Sequence, residues 1–135
     1  MQALSFFILV SASIFPALII LAFYFSRKDE ELKKFLLFLG LTTVVVFVLK
    51  YLFAKARPGS ALVFESTPSF PSMHSALAFG AAVFVAQVRK NWAPLAFSFA
   101  ALIAYSRMFL GVHSGLDVVA GAVLGSAIAY GILKR

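Results

Sequence analysis

The segment FLLFLGLTTVVVFVLKYLFA, residues 35–54, decides what kind of fold this chain can adopt. Its 20 residues include a single charge, Lys50. A helix of about 20 mostly apolar residues is long enough to cross the hydrocarbon core of a bilayer. Across all 135 residues, 62% are hydrophobic, 13% are charged, and the mean hydropathy is +0.98. Soluble domains carry about 25% charged residues, so we predict an integral membrane protein.

Four further apolar segments accompany this one and define the predicted architecture. We predict an all-α, integral membrane helical bundle of about five transmembrane helices, forming a single domain over residues 1–135. The predicted spans are residues 2–25, 35–54, 71–88, 92–110 and 112–133. The charged segments 27–34 and 89–91 are predicted to be short hairpins between spans. Residues 55–70, rich in Pro, Gly and Ser, form the only long loop, and such loops are usually functional.

Basic residues divide unequally between the two sides of this five-span arrangement. One side holds Arg27, Lys28, Lys33, Lys34, Arg89, Lys90, Lys134 and Arg135, and the other holds Lys50, Lys55, Arg57 and Arg107. Because cytoplasmic loops carry an excess of Lys and Arg, we predict a plasma or inner membrane protein with its N-terminus outside and its C-terminus cytoplasmic. The net charge of +7 then reflects topology and anionic lipid. No nucleic-acid partner is expected, because no basic patch carries interleaved aromatic residues.

Three polar motifs fall on the predicted outer side, and the first is Lys50-x6-Arg57-Pro58. If the second span continues as a helix to Pro58, Lys50 and Arg57 lie two turns apart on one face. Two cations in that arrangement repel each other unless an anion lies between them. The alternative is that both side chains extend to lipid headgroups, which is also the role predicted for Lys55, off that face.

The second motif is Pro71-Ser72-Met73-His74, at the start of the third span. A helix N-terminus presents free backbone amides, and a phosphate there can accept them together with the Ser72 hydroxyl. Ser72 can equally serve as a simple helix cap, or do both. His74 is placed to donate a proton to a leaving group, and its alternative role is structural.

The third motif is Ser106-Arg107-x5-His113-x3-Asp117. His113 and Asp117 are four residues apart, so on a helix they share a face and can touch. A carboxylate on one imidazole nitrogen leaves the other nitrogen with a fixed, more basic lone pair, as a nucleophile or general base requires. The alternative is a buried ion pair that fixes the helix register.

Taken together, these side chains are of the types that phosphoryl transfer through a covalent intermediate needs. The expected phosphate-binding residues are Lys50, Arg57, Ser72 and Arg107, and the expected catalytic residues are His113, Asp117 and His74. No metal and no other cofactor is expected, because the cations can neutralise developing charge. A hypothesis from another class is a non-catalytic membrane protein in which the histidines and Asp117 bind a metal or line a proton path.

The three motifs, in this order and spacing, resemble the signature of the type-2 phosphatidic acid phosphatase superfamily. That superfamily includes membrane lipid phosphatases and the soluble vanadium haloperoxidases, and the resemblance covers residues 50–117. It implies an all-helical bundle, commonly with six spans rather than five. It also implies a phosphohistidine on His113, oriented by Asp117, with His74 as general acid and the four residues above around the phosphate. The family usually has glycine where this chain has Met73.

The resemblance and the outer site predict a metal-independent phosphatase for a lipid phosphate or diphosphate in the bilayer. Polyprenyl (undecaprenyl-type) diphosphate is the preferred substrate, because so small a chain has little room for headgroup recognition. Phosphatidic acid, phosphatidylglycerol phosphate, lipid A phosphates and lipid phosphotransfer stay open. The stripe Gly121-x3-Gly125-x3-Ala129 predicts close helix contact within one chain or between two, so a homo-oligomer stays open.

Overall fold

The structure, a computed structural model, describes residues 2–10, 15–25 and 29–135. The helices are α1 (Gln2–Leu9), α2 (Phe15–Phe25), α3 (Asp29–Phe53), α4 (Met73–Val88), α5 (Ala93–Phe109) and α6 (Gly115–Leu133). A 3₁₀ turn, Lys90–Trp92, precedes α5. No strand occurs in the described ranges, and the all-α prediction is confirmed.

Length and composition separate the helices into two groups. Of the described helices, α3 and α6 are long and apolar enough to cross a membrane, while α2 and α4 are shorter apolar helices. The prediction of one continuous span over residues 2–25 depends on residues 11–14, which lie outside the described residues. Taken singly, α1 and α2 have 8 and 11 residues, fewer than the about 20 that a spanning helix needs.

The start of α3 corrects the prediction of a charged hairpin over residues 27–34. From Asp29 onward this segment is helical, so α3 begins six residues before the predicted Phe35. Three acidic residues fill its first turn, where negative charge offsets the positive end of the helix dipole. Lys33 also donates to Glu30 across one turn at 2.8 Å. Local electrostatics therefore extend the helix beyond its apolar part.

The other end of α3 corrects the predicted helical spacing of Lys50 and Arg57. The helix ends at Phe53, and Ala54 adopts a left-handed conformation with φ of 46°. The Ala54 amide still donates to the Lys50 carbonyl at 2.9 Å, which closes the last turn before the chain changes direction. Arg57 therefore belongs to the loop 54–72 and not to the face of α3 that carries Lys50.

Helix α4 lies at the centre of the bundle and packs against α2, α3, α5 and α6. Its small residues let neighbouring helices approach closely. At Gly80, a Cβ atom would come within 2.1 Å of the Phe38 ring of α3. The rings of Phe35 and Phe38 pack in turn on Phe84, with centroids 5.1 and 5.4 Å away. This buried cluster fixes α3 against α4.

The predicted small-residue stripe of α6 is confirmed as a close helix contact, and its partner is α4 of the same chain. A Cβ atom on Gly125 would lie 1.8 Å from the carbonyl oxygen of Ala76, and one on Gly121 would lie 2.4 Å from that of Ser72. The absence of these two Cβ atoms lets the start of α6 meet the start of α4. The Ser72 amide then donates to the Asp117 carbonyl at 2.9 Å.

The two ends of the bundle differ in character. At one end the Lys34 ammonium lies 3.5 Å from the Leu133 carbonyl, which brings the start of α3 to the end of α6. At the opposite end α3 and α5 finish and α4 and α6 begin, with the loop 54–72 between them. The three polar motifs of the sequence meet at this second end.

Candidate active site

A cavity of about 240 Å³ opens among the motifs at this end of the bundle. We call it the site cavity. It is lined by Phe47, Lys50, Arg57, Glu65, Thr67, Met73, His74, Arg107 and His113. Pockets that enclose a whole drug-sized ligand measure about 300–1,000 Å³. The site cavity is smaller than this range, so it suits a small polar group rather than a whole drug-sized ligand.

The seven predicted site residues divide into a lining group and a supporting group. The lining group consists of Lys50, Arg57, His74, Arg107 and His113. Ser72 and Asp117 are fully buried and are not part of the cavity wall. The structure thus brings residues of all three motifs to one place, and it separates those that line the cavity from those buried behind it.

Lys50 and Arg57 reach the cavity from different elements. Lys50, 3% exposed, projects from the last turn of α3 and donates to the Pro68 carbonyl. Arg57 is held by the backbone on two sides: its Nε donates to the Thr67 carbonyl at 2.7 Å and its Nη1 to the Val112 carbonyl at 2.8 Å. These bonds leave the guanidinium little freedom to turn away from the cavity.

Arg107 and Glu65 complete the charged wall. The Arg107 side chain, 4% exposed, donates from Nη2 to Glu65 Oε1. The other carboxylate oxygen of Glu65 lies 3.5 Å from Arg57 Nη2. The anion between these two cations is therefore the carboxylate of Glu65, a residue of the long loop.

His113 lies in the turn between α5 and α6 and is 4% exposed. Its Nε2 is 3.4 Å from Arg57 Nη1. Because a guanidinium can only donate, Nε2 is the acceptor, and the ring proton is assigned to Nδ1. Burial, together with Arg57, Lys50 and Arg107, lowers the pKa of His113 to about 3. The ring is therefore neutral at physiological pH, and a lone pair faces the cavity.

Asp117 lies behind His113 in the first turn of α6. Its Oδ2 is 3.8 Å from His113 Nδ1, longer than a hydrogen bond, and Nδ1 has no other partner in the described part of the chain. That oxygen accepts from the Ser114 amide at 2.8 Å, and the Ser114 hydroxyl accepts from the Asp117 amide at 3.4 Å. The pair forms a capping box that fixes the carboxylate at the helix start.

Lys55 provides the second restraint on Asp117, which corrects the prediction that it extends to lipid headgroups. Its ammonium lies 2.6 Å from Asp117 Oδ1 and 2.9 Å from the Ser114 hydroxyl. The change of direction at Ala54 turns this side chain toward the start of α6. The fully buried carboxylate of Asp117 thus has a cationic partner that the helical spacing did not predict.

Ser72 takes the capping role that the sequence left open. It is the N-cap of α4, and its hydroxyl accepts from the Ser75 amide at 3.5 Å and the Ser75 hydroxyl at 3.2 Å. The next two residues, Met73 and His74, line the cavity. The His74 ring packs on Phe15 of α2, with centroids 4.7 Å apart.

Three contributors to the site, Lys55, Glu65 and Thr67, were missed by sequence reasoning. The sequence indicates that a buried Asp117 needs a cationic partner and that the paired cations need an anion. The spacing of the motifs does not identify Lys55 and Glu65 as those partners. In the described ranges, no group of three or more His, Asp or Glu side chains is arranged to hold a metal ion.

Comparison with solved structures shows a similar fold in two proteins. The Aquifex aeolicus LpxE structure matches with a TM-score of 0.76 and 29% identity, over 98% of this chain and 94% of that one. A transmembrane PAP2-type phosphatidylglycerolphosphate phosphatase from Bacillus subtilis matches with a TM-score of 0.70 and 27% identity, over 98% and 68%. The fold and site thus define a membrane helical bundle with a cationic cavity that holds two histidines.

The sequence comparisons agree with the structural ones. The family model of the PAP2 superfamily matches residues 31–135. An undecaprenyl-diphosphatase from Sulfolobus acidocaldarius is 34% identical over 108 residues, which cover 68% of this chain and 52% of that protein. The chain therefore belongs to the PAP2 superfamily, as the motifs predicted. It spans about half the length of that relative.

Proposed function

We propose that this protein is a metal-independent phosphatase of membrane lipid phosphates or diphosphates, acting through a phosphohistidine on His113. The observation that carries the proposal is a buried, neutral histidine whose Nε2 lies at the wall of a cavity lined by three cations. A neutral imidazole is the nucleophilic form. The cations Lys50, Arg57 and Arg107 provide the positive charge that stabilises the transferring phosphoryl group.

The proposed reaction has two steps. In the first, which starts with His74 protonated, the Nε2 lone pair of His113 attacks phosphorus, the bond to the leaving oxygen breaks, and that oxygen takes a proton from His74, which becomes neutral. The ring keeps its proton on Nδ1, and the carboxylate of Asp117 balances the positive charge that the ring acquires. In the second step, water attacks phosphorus and gives its proton to His74. The N–P bond then breaks, releasing inorganic phosphate and neutral His113.

We further propose that the site end of the bundle faces the outside of a plasma or inner membrane, with the C-terminus cytoplasmic. The bias of basic residues toward the other side of the spans supports this orientation. The contact between Lys34 and the Leu133 carbonyl adds support, because it brings two of the basic segments to one end. The substrate then reaches the cavity from the outer leaflet.

The preferred substrate in this proposal is a polyprenyl diphosphate. Support comes from the small cavity, which has room for the phosphate end of a lipid and little headgroup around it, and from the similarity to the Sulfolobus acidocaldarius protein. The similarity to the Bacillus subtilis structure supports phosphatidylglycerol phosphate as a second candidate.

A panel of lipids in excess EDTA tests the activity and the substrate together. We expect detergent-purified protein to release phosphate from undecaprenyl diphosphate faster than from phosphatidic acid, phosphatidylglycerol phosphate or a lipid A phosphate. Orthovanadate, a phosphate analogue that His113 can bind, is expected to block release. Preference for a glycerolipid would overturn the substrate assignment. Activity lost in EDTA and restored by a divalent metal would overturn metal independence, and release from none of the lipids would overturn the phosphatase function.

A further inference from the structure

The carboxylate of Glu65 lies between two guanidinium groups of the site cavity, where an anion is attracted by both. One carboxylate oxygen accepts from Arg107 Nη2, and the other lies 3.5 Å from Arg57 Nη2. Guanidinium pairs of this kind are the groups that proteins use to hold phosphate oxygens. We call the space between these two guanidinium groups the anion position, and in this structure a side chain of the protein fills it.

The partners at the anion position differ in their freedom to move. The side chains of Arg107 and Arg57 are 4% and 12% exposed, whereas that of Glu65 is 31% exposed. Arg57 is also fixed by the carbonyls of Thr67 and Val112. Glu65 sits on the long loop 54–72, next to Phe64, which is 93% exposed. An incoming anion can therefore displace the carboxylate toward solvent, while both arginines stay in place.

We propose that Glu65 is a specificity residue: its carboxylate competes for the anion position, so a lipid binds only if its phosphate displaces it. This inference rests on the proposed function of the site. A terminal phosphate carries a charge of about −1.5 to −2 at neutral pH, more than the carboxylate it replaces. A phosphodiester carries only −1 and gains no advantage over Glu65. The competition therefore excludes the phosphodiester lipids that make up the surrounding bilayer.

The same competition acts on the product. Inorganic phosphate left in the cavity is opposed by the returning carboxylate, so Glu65 weakens product inhibition. Glu65→Gln keeps the size of the side chain and removes its charge. We expect this variant to bind inorganic phosphate about tenfold more tightly, the scale of losing one charge-assisted contact from the competing state. Phosphatidylglycerol, a phosphodiester, should become a competitive inhibitor in mixed micelles.

Two measurements keep this inference separate from the proposed function. The first is the inhibition constant of inorganic phosphate and of phosphatidylglycerol against phosphate release. The second needs no turnover: the rise in melting temperature produced by inorganic phosphate, which increases with affinity. If no lipid is hydrolysed, the proposed function fails, while a larger phosphate-induced rise in Glu65→Gln would still support the inference.

Glu30→Gln is the matched control, because it removes the same charge from an exposed residue that pairs with Lys33 across one turn, away from the site cavity. It should leave both inhibition constants unchanged. Glu65→Ala serves as a second variant, with the same direction expected. If Glu65 merely positions Arg57 and Arg107, both variants will bind phosphate more weakly than the wild type. That result, or unchanged constants in both variants, would overturn the inference.

Discussion

His113→Ala is expected to lower kcat for phosphate release by about 1,000-fold or more, because it removes the atom that bonds to phosphorus. No second neutral imidazole nitrogen lies beside Arg57 to replace it in the described residues. Binding should survive the change, since the three cations stay. The variant should therefore still show a phosphate-induced rise in melting temperature, and the loss of rate will appear in kcat rather than in binding.

Val112→Ala provides the matched control for packing at this turn. Val112 is fully buried next to His113, and its carbonyl, which accepts from Arg57, is kept in the variant. We expect this truncation to cost about 1–3 kcal/mol of stability and to leave kcat within a few-fold of wild type. If His113→Ala melts normally and retains wild-type kcat, His113 is not the nucleophile.

Asp117→Asn is expected to lower kcat by about 100-fold and to destabilise the fold by about 1–3 kcal/mol. The carboxylate accepts on one oxygen from Lys55 and on the other from the Ser114 amide. An amide has a single acceptor oxygen, so one of these two donors loses its acceptor on residue 117. The negative charge that balances a phosphorylated His113 ring is lost as well. Kinetics and thermal melting measure the two effects separately.

Asp29→Asn is the control for this substitution, because it replaces a carboxylate by an amide in the same way, but in the exposed first turn of α3. It should leave kcat unaltered. Lys55→Met extends the test, because it removes one donor to Asp117 while Asp117 keeps its negative charge. The kcat of Lys55→Met should therefore fall between those of wild type and Asp117→Asn. If Asp117→Asn is as active as wild type, the carboxylate serves only in the capping box at the start of α6.

The candidate site residues found from the sequence share a physical basis that is visible in it. Lys50, Arg107, His113 and Asp117 are ionisable residues in or next to apolar segments, where burial is costly without a functional or structural reason. Apolar runs separated by short charged connections likewise predict a helical membrane bundle, because only helices and closed barrels satisfy the backbone within lipid. These inferences depend on local composition, which the sequence contains in full.

The missed features depend on how the chain turns between helices. Periodicity across residues 50–57 predicts a continuing helix. The neighbouring sequence does not indicate that Ala54 adopts a positive φ. That single turn moves Arg57 into a loop and directs Lys55 to Asp117, 62 residues away in sequence. Glu65 lies on a loop whose path is set by contacts with the turn after α5, such as the bond from the Leu62 amide to the Leu110 carbonyl. Contacts of this range follow from tertiary structure and not from spacing.

The most direct test of the account is to trap the covalent intermediate. Wild-type protein would be mixed with a lipid labelled in its terminal phosphate, quenched in base within one turnover, and digested. Base preserves a phosphohistidine, and acid hydrolyses it. We expect a base-stable, acid-labile label on the peptide that contains His113, and none in His113→Ala. Phosphate release by the wild type with no label at His113, or with the label on another residue, would contradict it.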